Sequence, residues 1–355
     1  MKAAYYETRG PARTVLRVGD IPADEPGPGM LRVRIASSGI NPSDVKTRSG
    51  NSPRPQPWPR VVPHHDGAGT VEAVGSGVDP QRIGQRVWLY ECQIDRAGGT
   101  AAEYVTVPEG LAVPLPDNVS FDIGAALGVP ALTAWFCADR AGAAPGRNVL
   151  VHGAVGAVGF YAAQMARLRG ARVLGTVSNE SQAAVAQAAG IATVLRGDDL
   201  PLRARAWLQA QGPAEDGKHG GVAQPDGQAA KDAAGNGASH DGFDGIIDLD
   251  FAANLAANVE LAAVNGRLAV YASDTNLEPA VPVRALMRRN LQVAFLLLYT
   301  LPLAEKHRAI ADLSGWLAMD ALKHPSIHAY PLDDIASAHE AVETRRHVGK
   351  VVVRP

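Results

Sequence analysis

The chain has 355 residues, of which 46% are hydrophobic and 20% charged, with a formal net charge of -2, the balance of a globular protein with enough apolar mass for two cores. No long basic run marks a nucleic-acid or membrane-surface partner, and Cys92 and Cys137 are too few and too far apart for a disulfide framework or a four-thiolate zinc lobe. The start MKAAYYETRG has no apolar h-region and the longest apolar run, Leu291 to Leu298, is interrupted by Gln292 and far too short to span a membrane, so the expectation is a soluble cytoplasmic protein in a reducing compartment, acting on a small molecule.

Residues 1 to about 123 are rich in Gly, Pro and short β-branched runs, and the runs at 31–36, 69–74, 86–89 and 102–107 predict strands of a compact, mostly antiparallel, barrel-like domain. The stretch SPRPQPWPRVVP, 52–63, carries too many prolines for helix or central strand and reads as a loop bordering a cleft. From about residue 124 apolar strands alternate with alanine-rich helices, the mark of parallel βαβ units. Strands are expected at 148–152, 172–177, 192–195, 245–249, 266–272 and 291–298. One helix follows 153–159, with Phe160, Ala163, Ala166 and Arg167 at helical spacing and Gly170 closing it; a second covers 182–189. The segment 212–242 has many glycines, no aromatic residue and a single large aliphatic, Val222; it cannot repay the entropy of ordering by burial and reads as an exposed insertion.

Gly153-Ala154-Val155-Gly156-Ala157-Val158-Gly159 lies between an apolar strand and an apolar helix. Glycine at 156 lets backbone approach a pyrophosphate, glycine at 159 lets helix pack on strand, and the N–H groups at the helix start face the phosphates. Ala154 stands where the usual pattern has a glycine, and no Lys-Ser/Thr pair follows, which excludes a phosphate-loop NTPase. A ligand-free strand-to-helix turn is the alternative reading. After the second strand come Ser178 and Asn179 rather than a carboxylate, which favours NADPH over NADH; Arg196 would add positive charge for a 2'-phosphate, although it also reads as a solvated surface arginine, and Glu180 lies close behind.

Taken together the blocks GINPSDVKTRSG (39–50), HDGAGTVEAVGSGV (65–78), GGTAAEYVTVP (98–108), GAALGVPALTAW (124–135), GRNVLVHGAVGAVG (146–159), RVLGTVSNE (172–180), FDGIIDLDFAANL (243–255), NGRLAVYAS (265–273) and HVGKVVV (347–353) resemble the medium-chain dehydrogenase/reductases, and among them the zinc-free quinone oxidoreductases that include zeta-crystallin. The resemblance implies an α/β protein: a GroES-like, mostly-β catalytic domain from 1–123 and 300–355, and a Rossmann, doubly wound parallel-sheet NADP-binding domain from 124–299, with the active cleft where they meet. It also implies a homodimer through strand 291–298. An apolar edge strand left bare would invite aggregation, which agrees with that expectation.

By the same resemblance, the catalytic zinc of the alcohol dehydrogenase branch would need ligands at Asn41, His65 and Val129, and only His65 is one; no zinc is expected. Asn41 and Thr133 would hold the nicotinamide side, with Leu296 to Tyr299 on its other edge and Ala272 also at the cofactor. Asn41 before Pro42 also reads as the cap of a turn, and Thr133 as bonded to a helix carbonyl. VPHHDGAG departs from the quinone-reductase pattern at two places: His64 stands for a glycine and His65 for a small residue. The tyrosines that commonly flank the quinone pocket are missing from 49–62, so Trp58, Tyr299 or the proline loop would shape it. His65 is therefore a candidate proton or hydrogen-bond donor to the reduced substrate, with a structural histidine bonded to backbone as the alternative. The implied reaction is hydride transfer from NADPH, or NADH, to a quinone or activated carbonyl. Reduction of an enone or 2-enoyl thioester is the alternative, and a crystallin-like or RNA-binding role the distant one; no basic stripe with interleaved aromatics supports RNA.

Overall fold

The computed structural model describes residues 1–52, 55–211 and 242–355; all of the expected insertion but Gly242, and residues 53 and 54 of the proline-rich stretch, lie outside the described residues. Two compact units form, the first from Met1–Trp135, Val155–Tyr161 and Leu297–Pro355, the second from Phe136–Ala154 and Ala162–Leu296.

The spine of the first unit is the strand Met30–Gly39. Leu31, Val33 and Ile35 alternate inward against Arg32 and Arg34, the period of a strand with one wet face. From Ser37 to Asn41 every residue is buried, so the strand runs from the surface into the interior. It pairs antiparallel with Asp66–Val74, with Tyr104–Pro108 near its start and with Lys350–Arg354 at its end. The seven-stranded sheet is antiparallel except where Ile327–Pro331 joins Lys350–Arg354 in parallel. Its core is Leu31, Val33, Ile35, Val71, Val87, Leu89, Val105 and Val107.

The register decides what meets inside. Gly39 sits opposite Asp66 on one side and Val352 on the other. The strand at 66 begins three residues before the expected 69, which places His65 and Asp66 at its entry. Just after Gly39, the helix Pro42–Ser49 starts with Asn41 as its N-cap, Pro42 at its first turn and Gly50 in the left-handed conformation closing it. Trp58 is half-buried in the proline stretch and packs on an apolar cluster around Tyr6, Val45 and Val61.

The second unit is a six-stranded parallel sheet in the order 192–195, 172–177, 148–151, 243–248, 262–270 and 292–295, the doubly wound arrangement in which chain order reverses next to the first strand. The helix Phe251–Leu261 buries Phe251, Leu255, Asn258 and Leu261, one face at helical spacing, against that sheet. Three expectations shift. The helix Ala157–Leu168 is buried continuously from Gly159 to Ala166, so it has no single stripe, and Arg167, in its last turn, lies outside that buried run and donates to Ala189 O. The next helix starts at Glu180 because Asn179 caps it, accepting from Gln182 N at 3.0 Å. The strand expected from Gly266 begins at Ala262: the turn-like Asn265, in the left-handed conformation, is absorbed near a register shift.

Candidate active site

Asp66 is fully buried, and both its oxygens are engaged. Oδ1 accepts from Val129 N at 2.9 Å, and Oδ2 accepts from Asn41 Nδ2 at 2.7 Å. Lys350 Nζ donates to Asn41 Oδ1 at 2.6 Å and lies 3.5 Å from Asp66 Oδ2. An ammonium can only donate and a carboxylate only accept, so the amide orientation of Asn41 is fixed by its partners. Glycine at 128 is required for this approach: a Cβ there would stand 2.2 Å from Asp66 Oδ1. Burial pushes the Asp66 carboxyl up and the Lys350 ammonium down, and each charge opposes the shift of the other.

Asp44, one turn into the helix that Asn41 caps, accepts from Asn41 N at 2.6 Å, the reciprocal half of a capping box. It is buried, and its carboxyl is pushed up to about 7, first by burial and then by the charge of Asp66. Its Oδ1 lies 3.8 Å from His65 Nε2. The buried His65 ring packs 4.8 Å from the ring of Tyr299, and Tyr299 Oη shares a hydrogen bond with Ser43 Oγ at 2.8 Å. A carboxyl that holds a proton near neutrality therefore stands behind an imidazole that is itself framed by a phenol.

His64 points elsewhere. Its Nδ1 is 2.8 Å from Ser38 Oγ and its Nε2 is 2.9 Å from His339 Nε2. Burial, reinforced by His339, Lys350 and His65, keeps it neutral, its pKa well below the usual histidine range.

The structure thus brings Asn41, His65 and Tyr299 together at the start of the helix Pro42–Ser49: Asn41 caps it, His65 lies beside its Asp44 and Tyr299 bonds its Ser43. Thr133 is buried on the helix Gly128–Arg140, one turn beyond Val129. In the glycine-rich segment, Gly153 holds a left-handed φ of 67°, the conformation that favours glycine. Gly156 is exposed, and the first helical bond runs from Phe160 N to Gly156 O, so the amides of Ala157, Val158 and Gly159 precede it. Ala154 is buried and bonds Thr176 O through its N–H. Ser178, Asn179 and Arg196 are exposed at the ends of adjacent strands, where Arg196 N donates to Val177 O at 2.8 Å. Ala272 follows the strand Ala262–Val270, and its carbonyl accepts from Phe251 N.

Sequence reasoning missed Asp44, Lys350, Ser38, Thr100 and His339. Two signals were present: Asp44 three residues after a capping asparagine, and a lone lysine between Gly349 and the apolar run Val351–Val353, the position of a buried cation. For His339, on an alanine-rich amphipathic helix, nothing local distinguishes a core residue from a partner of His64.

Residues 27–117 match the family described as "Alcohol dehydrogenase GroES-like domain", and 221–353 match "Zinc-binding dehydrogenase". The quinone oxidoreductase of Rattus norvegicus is 28% identical over 98% of this chain and 95% of its own. Among solved structures, an NAD-dependent alcohol dehydrogenase is 28% identical with a TM-score of 0.82, and a mycobacterial protein in complex with NADPH is 26% identical with a TM-score of 0.80; each covers 100% of both chains. The chain belongs to the medium-chain dehydrogenase/reductase superfamily. A human quinone oxidoreductase is likewise similar, 29% identical over 95% of this chain and 92% of its own. This chain is an α/β protein combining a GroES-like domain with a Rossmann-type parallel sheet, and an oxidoreductase. Among the described residues no helix is long and apolar enough to cross a membrane.

Proposed function

We propose that the protein reduces a quinone or a similarly activated carbonyl or alkene with NADPH and without a metal. One observation carries this reading: of the three positions where the zinc branch keeps its ligands, 41, 65 and 129, only 65 holds a side chain of a type that ligates zinc. The Asn41 amide is spent on Asp66 and Lys350, and Val129 offers a hydrocarbon side chain and a backbone N–H already given to Asp66. A catalytic zinc takes three protein ligands and a water, so these residues do not fit it. The buried Lys350 ammonium lies where a fixed positive charge balances the carboxylates.

The cofactor's pyrophosphate would lie on Gly153, Ala154, Gly156, Ala157, Val158 and Gly159, and a 2'-phosphate on Ser178, Asn179 and Arg196. Thr133, Ala272 and Tyr299 would meet its nicotinamide side, with Asn41 in a positioning role. Bound there, dihydronicotinamide supplies a hydride. His65 donates a hydrogen bond or a proton to the oxygen or carbon that becomes electron-rich, and Asp44, 3.8 Å behind it, is the group from which that proton is restored. Tyr299, held by Ser43, fixes the ring face of His65. We also propose a homodimer through residues 291–298, supported by the exposure of Phe295 in the edge strand 292–295, shorter than the expected 291–298, and of Leu297 just beyond it.

The test is NADPH oxidation with quinones, enones and enoyl thioesters as acceptors, repeated with NADH and after chelation. Turnover of a quinone that survives chelation and falls about a hundredfold or more in His65→Ala supports the reading. Chelator-sensitive turnover contradicts it.

A further inference from the structure

His64 has a φ of 83°, a left-handed conformation that a side-chain-bearing residue keeps only where its surroundings over-determine it. Its surroundings can be written proton by proton. Thr100 Oγ1 donates to Asp66 O, and a carbonyl cannot donate in return. Thr100 has then spent its only proton, so the 2.7 Å bond to Ser38 Oγ takes the proton of Ser38. Ser38 in turn must accept from His64 Nδ1–H. His64 Nε2 is left as a lone pair and accepts from His339 Nε2–H, with the two rings stacked 24° from parallel. His339 Nδ1 is then a buried acceptor with no hydrogen-bond partner among the described residues.

This chain of bonds has one polarity. It ends on the Asp66 carbonyl, an acceptor that cannot pass a proton on to the His65 ring. It is therefore a latch and not a relay. It ties together the strand Met30–Gly39, the strand Asp66–Val74 with His64 just ahead of it, the loop at 100, and the helix Ile335–Glu343 that carries His339. Residues 64 and 65 diverge because of the left-handed turn, one ring going to Ser38 and His339, the other to Asp44 and Tyr299. The neighbouring backbone is pinned as well, with Thr100 N donating to His64 O and Cys92 N to His65 O.

We propose that His64 is a positioning residue for His65, latched by His339, and that the pair sets the direction in which the His65 ring is presented. The importance of that direction for turnover rests on the function proposed above; the latch itself does not. Two readouts separate them. In full-length protein labelled with nitrogen-15 in its histidines, His64 must show a protonated Nδ1 and a bare Nε2, and His339 the reverse. Either ring in the opposite tautomer, or a shared imidazolium, overturns the latch.

In His339→Leu the ring signals of His65 must shift and lose their proximity to Tyr299; unchanged signals overturn the positioning, whether or not any acceptor is turned over. For kinetics, His339→Leu and His64→Gly should each lower kcat about tenfold, with KM for NADPH within about twofold, and the double variant should lose no more than either alone. His339→Gln, which keeps an N–H donor toward His64 Nε2, should recover most of kcat. Independent losses in the double variant, or an effect on KM alone, contradict the proposal. Where a variant fails to fold, the tautomers of the unaltered protein still decide.

Discussion

A histidine beside a carboxyl can serve a proton-requiring step only if the proton is there at working pH, and Asp44 is the residue that sets this. Its carboxyl holds a proton to about 7 because burial and Asp66 disfavour its anion. The protonated form is the competent one, so kcat should fall as pH rises past about 7, and Asp44→Asn should remove that limb of the profile. A profile unchanged in Asp44→Asn would take Asp44 out of the proton path. At this scale the sequence was partly legible. His65 stood out because two histidines precede Asp66 where small residues are usual in the family. Asp44 and Lys350 did not, because their significance is a matter of what meets them: a carboxylate from residue 66 and an ammonium from residue 350 converge only through sheet register.

At the scale of elements, the helix start at Gly128 and the strand entry at Asp66 depend on each other. Adding a methyl group at 128 would press on Asp66 Oδ1 and disturb its bond from Val129 N. Gly128→Ala should therefore cost about 1–3 kcal/mol, read as a lower denaturant midpoint at unchanged slope. The end of the strand Arg172–Val177 makes a different prediction. Arg196 is held beside Ser178 and Asn179 by its backbone bond to Val177 O, so Arg196→Ala should raise KM for NADPH about tenfold and leave KM for NADH nearly unchanged. Equal effects on both cofactors would remove Arg196 from 2'-phosphate recognition. The parallel strands were the most legible elements: 172–177 and 192–195 were read without error, since short runs rich in β-branched residues, bounded by glycine and charged residues, favour strand over helix. The strand at 262–270 was misread because Asn265-Gly266 is a turn signal in isolation, which a register shift accommodates inside a sheet.

For the whole molecule, stability should carry the signature of its buried titratable groups. His64, His339 and His324 are held below the usual histidine pKa, His339 to about 3 and His324 to about 4, chiefly by burial. Below about 6.5 the unfolded chain takes up protons that these folded histidines refuse, so their contribution is present above 6.5 and is lost as pH falls. Asp44 acts with the opposite sign: its raised pKa means the folded state holds a proton that the unfolded state releases above about 4, so its contribution falls as pH rises toward 7. Thermal unfolding followed from pH 5 to 8 should accordingly show an acid limb flattened by His339→Gln and a shallower alkaline limb flattened by Asp44→Asn. The two-fold division into a mostly antiparallel sheet and a parallel one was legible from composition and periodicity alone, whereas the long-range assembly of Asn41, His65, Asp66 and Lys350 was not, since no local pattern encodes a contact between residues 41 and 350. Metal-independent reduction with His65 as the donor is decided by the initial rate of NADPH oxidation with a quinone before and after exhaustive chelation, in the unaltered protein and in His65→Ala. A chelation-resistant rate that drops about a hundredfold or more in the variant is the predicted result; a rate abolished by chelation and restored by zinc would contradict it.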